Sequence, residues 1–314
     1  MKLHPLTSEQ LETFLQLAVP SEHVEDVRRY VENMLARDSM RLDWCFLVED
    51  AGSLIGTVAF WKLPSQHVPA SLVLLSLPWE REDVYTLGEH LFALLLPQMR
   101  SLGAKMIDLV IDEPACSPQW QYAPERRKEL FQRLSFRLDR VTMRFERSAG
   151  ALPLVPDRLV FRSLDEVGEA VFIDAIEQAS AHTFDRYIQQ ERELLGAREQ
   201  ARMFFEDMQS MEYKPQWWKV AYVPDGTLAG FVLPALAPAF GTIAYIGVLP
   251  AHRGQGYGYD LLVQGTQTLI DAGAHVLRAD TDIKNEPMAR TFRRVGYRQF
   301  AKRTEFSLKL ASGK

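Results

Sequence analysis

The sequence predicts an α+β protein with a mixed α/β sheet, made of two copies of one unit in tandem. Three observations carry this expectation. At 314 residues the chain exceeds what one hydrophobic core usually holds. Segments of period-two alternation and segments of helical spacing follow one another in both halves. The order of those segments, and the residues that close them, occur twice.

In the first half, two opening helices precede strands over 45–48 and 54–61, joined by the turn Asp50-Ala51-Gly52. A strand over 71–77 ends at Pro78. A helix over 86–102 closes at Gly103-Ala104. Then come a strand over 106–111, a helix over 126–134 followed by Phe136, and an alternating strand over 141–146. The stretch 147–156, rich in small residues and prolines, reads as a linker. It divides the chain into a first domain over 1–148 and a second over 157–314.

The second half runs through a strand over 158–162 and helices over 164–180, 185–195 and 198–208. Strands follow over 217–223, 228–233 and 242–248, the first two joined by Pro224-Asp225-Gly226. Leu261, Leu262, Leu269 and Ile270 recur at helical spacing in a helix over 256–272, which closes at Gly273-Ala274. A strand over 276–281 and a helix over 287–295 come next. Pro287 suits a first turn, where its missing N–H is not needed. One or two strands over 297–308 end the pattern.

Bulk chemistry narrows the function. The formal net charge of -5 argues against nucleic acid as partner, since phosphate neutralisation needs a basic face. Cys45 and Cys116 are too few for a disulfide framework, and no ligand spacing suggests a metal. Cys45 sits in an apolar run and reads as a buried small hydrophobe. The N-terminus has no apolar signal core, and no run approaches membrane-spanning length. A cytoplasmic protein that engages no membrane is the expectation.

The stretch that carries chemistry is Val248-Leu249-Pro250-Ala251-His252-Arg253-Gly254-Gln255-Gly256-Tyr257-Gly258. A strand enters a glycine-rich turn, and the turn opens a helix. Residues without Cβ let backbone N–H groups come close to a ligand. A helix N-terminus adds unsatisfied donors and a positive dipole end, which suits a pyrophosphate. Arg253 either adds a charge-assisted contact or braces the turn. A Walker A loop would need Lys and then Ser or Thr, but Tyr259 follows Gly258. Gly254, Gly256 and Gly258 also lack the gap of a dinucleotide fingerprint.

This turn resembles the acyl-CoA motif of the GNAT superfamily of N-acetyltransferases: Arg or Gln, two residues, Gly, one residue, then Gly or Ala. The downstream stretch, from Asn285 through the helix to Gly296-Tyr297, resembles that family's second signature. The likeness covers about 157–310, and the chain as a whole resembles tandem-domain members. It implies acetyl-CoA or another short acyl-CoA as co-substrate and no metal. Backbone N–H groups from Gln255 to Gly258 (Gln255, Gly256, Tyr257 and Gly258, with Arg253 and Gly254 leading in) would hold the pyrophosphate. Val248 would pair with the pantetheine arm, and a nearby N–H would polarise the thioester carbonyl. Asn285 would contact the cofactor or cap the following helix.

Two departures from the family pattern bear on catalysis. Where many members carry a Tyr that protonates the leaving thiolate, this chain has Phe292. Tyr245 is the alternative phenol; Tyr297 is a poor one, because that position usually packs in the core. The strand before the turn has no carboxylate to serve as base, which leaves Asp280 and Asp282 as the nearest replacements. Each also reads as a strand end or a helix cap. His182, between two helices that cover the acceptor pocket in the family, is a further candidate. In the first half the matching turn is Trp79-Glu80-Arg81-Glu82-Asp83, without glycine and with carboxylates where phosphates would bind. That copy is expected to keep the fold and lack the cofactor site. The function expected is acyl transfer to an amine of a small molecule. A weakly catalytic CoA-binding or regulatory protein is the alternative, and a peptidyl or protein acceptor is a third class.

Overall fold

The computed structural model describes residues 1–62, 67–154, 157–237 and 239–310. By contacts the chain forms two compact units, one of residues 1–140 and 301–314, the other of residues 141–300.

In chain order the first unit contains β1 (Lys2–Pro5), α1 (Leu11–Ala18), α2 (Val24–Ala36), β2 (Met40–Asp50), β3 (Ser53–Trp61), β4 (Ser71–Ser76), α3 (Val84–Ser101), β5 (Met106–Glu113) and α4 (Pro124–Arg133). β6 (Arg137–Ser148) passes into the second unit. There follow β7 (Val160–Ser163), α5 (Leu164–Val167), α6 (Glu169–Ala179), α7 (Arg186–Leu195), α8 (Ala197–Met208), β8 (Lys219–Tyr222), β9 (Leu228–Ala237), β10 (Phe240–Val248), α9 (Tyr257–Asp271), β11 (Val276–Asp282) and α10 (Glu286–Val295). β12 (Arg298–Lys309) returns to the first unit.

The sheet of the first unit runs β1-β2-β3-β4-β5-β12, and that of the second runs β7-β8-β9-β10-β11-β6. Each is antiparallel except for one parallel pair, β4 with β5 and β10 with β11. Strand alternation gives each sheet two apolar faces. In the second unit Val232, Ile243 and Leu277 pack with Leu261, Leu262 and Phe292 from α9 and α10. Phe231 and Leu233 pack on the opposite face with Phe172 and Phe205 from α6 and α8. The first unit repeats this, with α3 and α4 on one face and α1 and α2 on the other. Cys45 is fully buried in the latter cluster.

Four details differ from the sequence expectation. The units do not divide at 148–157: β6 completes the second sheet by pairing with β11, Val276 opposite Ser148 through Asp282 opposite Thr142. β12 completes the first by pairing with β5, Lys302 opposite Glu113 through Lys309 opposite Met106. Each sheet takes its last strand from the other half of the sequence, which an alternation pattern cannot reveal. Of the linker expected over 147–156, residues 155 and 156 lie outside the described residues, and residues 147–148 belong to β6. The helix expected over 164–180 starts with a reciprocal cap between Ser163 and Glu166 and breaks after one turn at Gly168, which separates α5 from α6. β1, four residues long and not among the expected elements, pairs antiparallel with β2. Among the described residues no helix is long and apolar enough to cross a membrane.

Candidate acyl-CoA site

Strands β10 and β11 run parallel but share register only at Gly241 with Leu277 and Thr242 with Arg278. β10 continues for six more residues and pairs there with β9 alone, past a bulge between Ile243 and Tyr245. The two strands part like a wedge, and the backbone of residues 243–248 on the β11 side is not engaged by β11. That edge offers ladder donors and acceptors to an extended, amide-bearing ligand.

The wedge leads into the glycine turn. Gly254 and Gly256 have φ of 80° and 85°, the left-handed region that a Cβ disfavours, and Gly256 sits at the N-cap of the 15-residue α9. A Cβ at Gly254 would meet nothing within 4 Å. That glycine is required by backbone conformation, and it faces open space. The helix N-terminus therefore presents its unsatisfied N–H groups at a turn with room before it.

Arg253 does not reach into that room. Its guanidinium donates to the carbonyl oxygens of Val248 (3.2 Å), Ala179 (2.8 Å) and Ala181 (3.0 Å). Of the two roles the sequence left open, this geometry is the bracing one, tying the turn to the end of α6. A second arginine lies against the turn. Arg158 Nε donates to Asp260 Oδ2 at 2.7 Å, and its terminal nitrogens reach Asp260 Oδ1 (3.2 Å) and the Gln255 carbonyl (3.0 Å). Asp260, in the first turn of α9, has no exposed side-chain surface. The sequence reading missed both. Its one available signal was an acid beside Leu261 on an otherwise apolar stretch of helix, and its partner lies 102 positions away.

The remaining candidates fall in separate places. Tyr245 lies on the α6–α8 side of β10, its ring 4.6 Å from Phe204 and 5.2 Å from Phe231. Burial pushes its phenol well above the usual range, the Asp185 carboxylate adds to this, and Arg253 and Arg192 oppose it. Its hydroxyl thus stays protonated at neutral pH. Asp185 itself caps α7 by accepting from the N–H groups of Tyr187 and Ile188. His182 is exposed in the turn before α7, with φ of 55°. Asp280 is exposed and lies 3.5 Å from Arg144 Nε on β6. Asp282 is buried and accepts from the N–H of Lys284 at 2.9 Å, while its carbonyl accepts from Asn285. Asn285 Oδ1 in turn accepts from the Met288 N–H, capping α10. These positions match the capping alternatives for Asp282 and Asn285, while Asp280 lies within β11 opposite Arg144.

Phe292 is buried in the core, stacked on Phe145 at 4.9 Å and edge-on to Tyr297 at 5.4 Å. The Tyr297 hydroxyl shares a 2.8 Å hydrogen bond with Thr266 Oγ1, and burial raises its pKa to about 12. It is a packing residue.

The first unit keeps the wedge and fills it. β4 shares register with β5 only at Ser71 with Asp108. Beyond that point the segment after β5 supplies the missing partners. Gln119 Oε1 accepts from the Leu74 N–H of β4. Gln121 donates to the Val110 carbonyl and accepts from the Asp112 N–H, both on β5. Arg127, buried on α4, donates to the Leu75 carbonyl at 2.7 Å. At the turn, Arg126 donates to the carbonyls of Trp79 and Arg81, Trp79 is buried, and Arg81 pairs with Asp83 at 2.6 Å. The backbone edge that stands open on β10 is satisfied internally on β4.

Each unit is thus a six-stranded mixed sheet with one diverging parallel pair, which leads into a glycine turn in the second unit and is closed by side chains in the first. Residues 181–297 match the model of the Acetyltransferase (GNAT) family. Solved structures show the same fold over the whole length. A GCN5-related N-acetyltransferase from Sphaerobacter thermophilus aligns with a TM-score of 0.62 at 16% identity, covering 100% of this chain and 96% of that one. A tandem GNAT protein from the clavulanic acid biosynthesis pathway aligns with a TM-score of 0.51 at 15% identity, covering 100% and 99%. A mycothiol acetyltransferase from Corynebacterium aurimucosum is 32% identical over 60 residues, which span 19% of this chain and 20% of that protein.

Proposed function

We propose that the second unit binds acetyl-CoA, or another short acyl-CoA, and transfers its acyl group to an amine of a small molecule. One observation carries this reading: the parting of β10 from β11 after Thr242, running into left-handed Gly254 and Gly256 at the start of α9. The family match over 181–297 supports it. When bound, the acyl-CoA supplies the acyl group and leaves as a free thiol. On this reading the edge of β10 through Val248 holds the amide-bearing arm, and N–H groups from Gln255 to Gly258 hold the pyrophosphate. A backbone N–H at the wedge polarises the thioester carbonyl.

The acceptor enters on the α6–α8 side, where Tyr245, a phenol on β10 itself, keeps its proton. An acceptor amine of ordinary pKa is mostly protonated at neutral pH, so it has to lose a proton before attack. Asp280 is the exposed carboxylate for that step, and His182 is the second candidate base. A cytoplasmic setting, where acyl-CoA is at hand, belongs to this reading.

A second reading is an acyl-CoA-binding protein with weak turnover. The placement of Phe292 in the core favours it, since no phenol stands at the usual acid position. Calorimetric titration with acetyl-CoA, beside free-thiol release across a panel of small amines, separates the two. One equivalent bound and thiol released with some amine supports the transferase. One equivalent bound and no release with any amine supports the second reading. Two equivalent sites per chain would sink the assignment to the second unit.

A further inference from the structure

We infer that Arg158, held by the buried carboxylate of Asp260, is a positioning residue that aims the Gly256 N–H at the acyl-CoA pyrophosphate. The inference rests on the acyl-CoA reading above and adds a residue outside the glycine motif. A trans peptide unit points its C=O and its N–H in opposite directions. Arg158 donates to the Gln255 carbonyl at 3.0 Å. The N–H of that same peptide unit belongs to Gly256, and it therefore faces away from Arg158. In a left-handed turn flanked by glycines the 255–256 peptide can rotate at small steric cost. A charge-assisted hydrogen bond on its carbonyl opposes that rotation, and it polarises the peptide so that the N–H becomes a stronger donor.

The clamp is fixed from behind. Asp260 takes two bonds from Arg158, at 2.7 and 3.2 Å, and its side chain is fully buried. The buried carboxylate would be costly to leave unpaired, and it holds the half-exposed guanidinium at the turn. Its face also lies 5.1 Å from the Tyr257 ring centroid, the first residue of α9. Arg158 precedes β7, so the clamp joins the lead-in to that strand to the first turn of α9. Arg253 makes a different set of contacts: its Nε and one terminal nitrogen are turned to the carbonyls of Val248, Ala179 and Ala181.

The test compares two ligands that differ in the pyrophosphate. Kd is measured for acetyl-CoA and for acetyl-pantetheine, which keeps the arm and thioester and lacks the phosphates. Wild type, Arg158→Met, Arg158→Lys and Asp260→Asn are titrated, with thermal unfolding recorded for each. Loss of one well-aimed donor to a charged phosphate weakens binding about ten- to a hundredfold. Arg158→Met is expected to lose that much for acetyl-CoA and nothing for acetyl-pantetheine. Arg158→Lys, with a single compact charge, is expected to recover part of the loss. Asp260→Asn keeps one acceptor for the guanidinium and is expected to show a smaller loss with the same selectivity, which covers the case of Arg158→Met failing to fold. Equal weakening of both ligands, or folded variants with unchanged acetyl-CoA affinity, would overturn the inference and leave the acyl-CoA reading standing. Wild type that binds neither ligand would remove the acyl-CoA reading itself.

Discussion

Alanine placed singly at Gly256 and at Gly258 separates two demands on the glycine turn. Gly256 has φ of 85°, where an L side chain costs roughly 1–2 kcal/mol. Its Cβ would also stand 3.1 Å from the Arg158 guanidinium, which would have to yield. Gly256→Ala is therefore expected to lower Tm by about 2–8 °C, at about 2–4 °C per kcal/mol for a unit of this size. Its acetyl-CoA affinity should fall about ten- to a hundredfold, the value of a backbone donor to a charged group. Gly258 lies inside α9 with ordinary φ, and a Cβ there would meet only Val248 Cγ2, at 3.7 Å. Ala is the better helix former by about 0.8–1 kcal/mol, so Gly258→Ala should raise Tm by about 2–4 °C. Its acetyl-CoA affinity should not change. Scanning calorimetry gives the stabilities, and titration calorimetry gives the affinities. Equal destabilisation of the two variants would refute the assignment of left-handed strain to Gly256 alone. Loss of binding in a stabilised Gly258→Ala would show that the ligand backbone approaches position 258 as closely as 256.

Three further predictions test the surrounding core. Phe292→Tyr puts a hydroxyl among Phe145 and Tyr297 without a partner, and should cost about 1–3 kcal/mol with no gain in thiol release; faster release would show that the hydroxyl reaches the wedge. Tyr297→Phe should lose about 1 kcal/mol at neutral pH, the value of its bond to Thr266. Its folded pKa of about 12 stands above the unfolded value near 10, so the unfolded state releases its proton first. The stability Tyr297 contributes is whole below pH 10 and is lost as pH rises towards 12, and denaturant titrations of Tyr297→Phe should show a slope shallower by one proton in that window. Arg127→Met leaves the carbonyls of Leu75 and Tyr122 without their donor and should destabilise the first unit by about 2–5 kcal/mol. It should bind a single equivalent of acetyl-CoA with wild-type affinity, and a second equivalent would show that unplugging the first wedge restores a site.

Much of this protein is determined by local pattern. Alternation, helical spacing and closing glycines placed all but one short strand, because β1 has four residues and no turn before it. The turn Arg253 to Gly258 was legible for a related reason: left-handed backbone and close approach require glycine, and that requirement is written residue by residue. The missing glycines after Pro78 mark the first copy's turn as different from the second's, and there the turn is held by Arg126 and Arg81.

Tertiary structure decided what depends on partners distant in sequence. Only the folded chain shows β6 and β12 completing each other's sheets, since strand pairing is made between backbones and leaves no mark in composition. Only it shows that Arg253 spends its donors on carbonyls while Arg158 grips the turn through Asp260, across 102 positions. The same holds for the first copy's wedge, where Gln119, Gln121 and Arg127 read as ordinary polar residues. Their role arises because a backbone edge parted from its neighbour has to find hydrogen bonds somewhere, and in that unit it finds them within the chain.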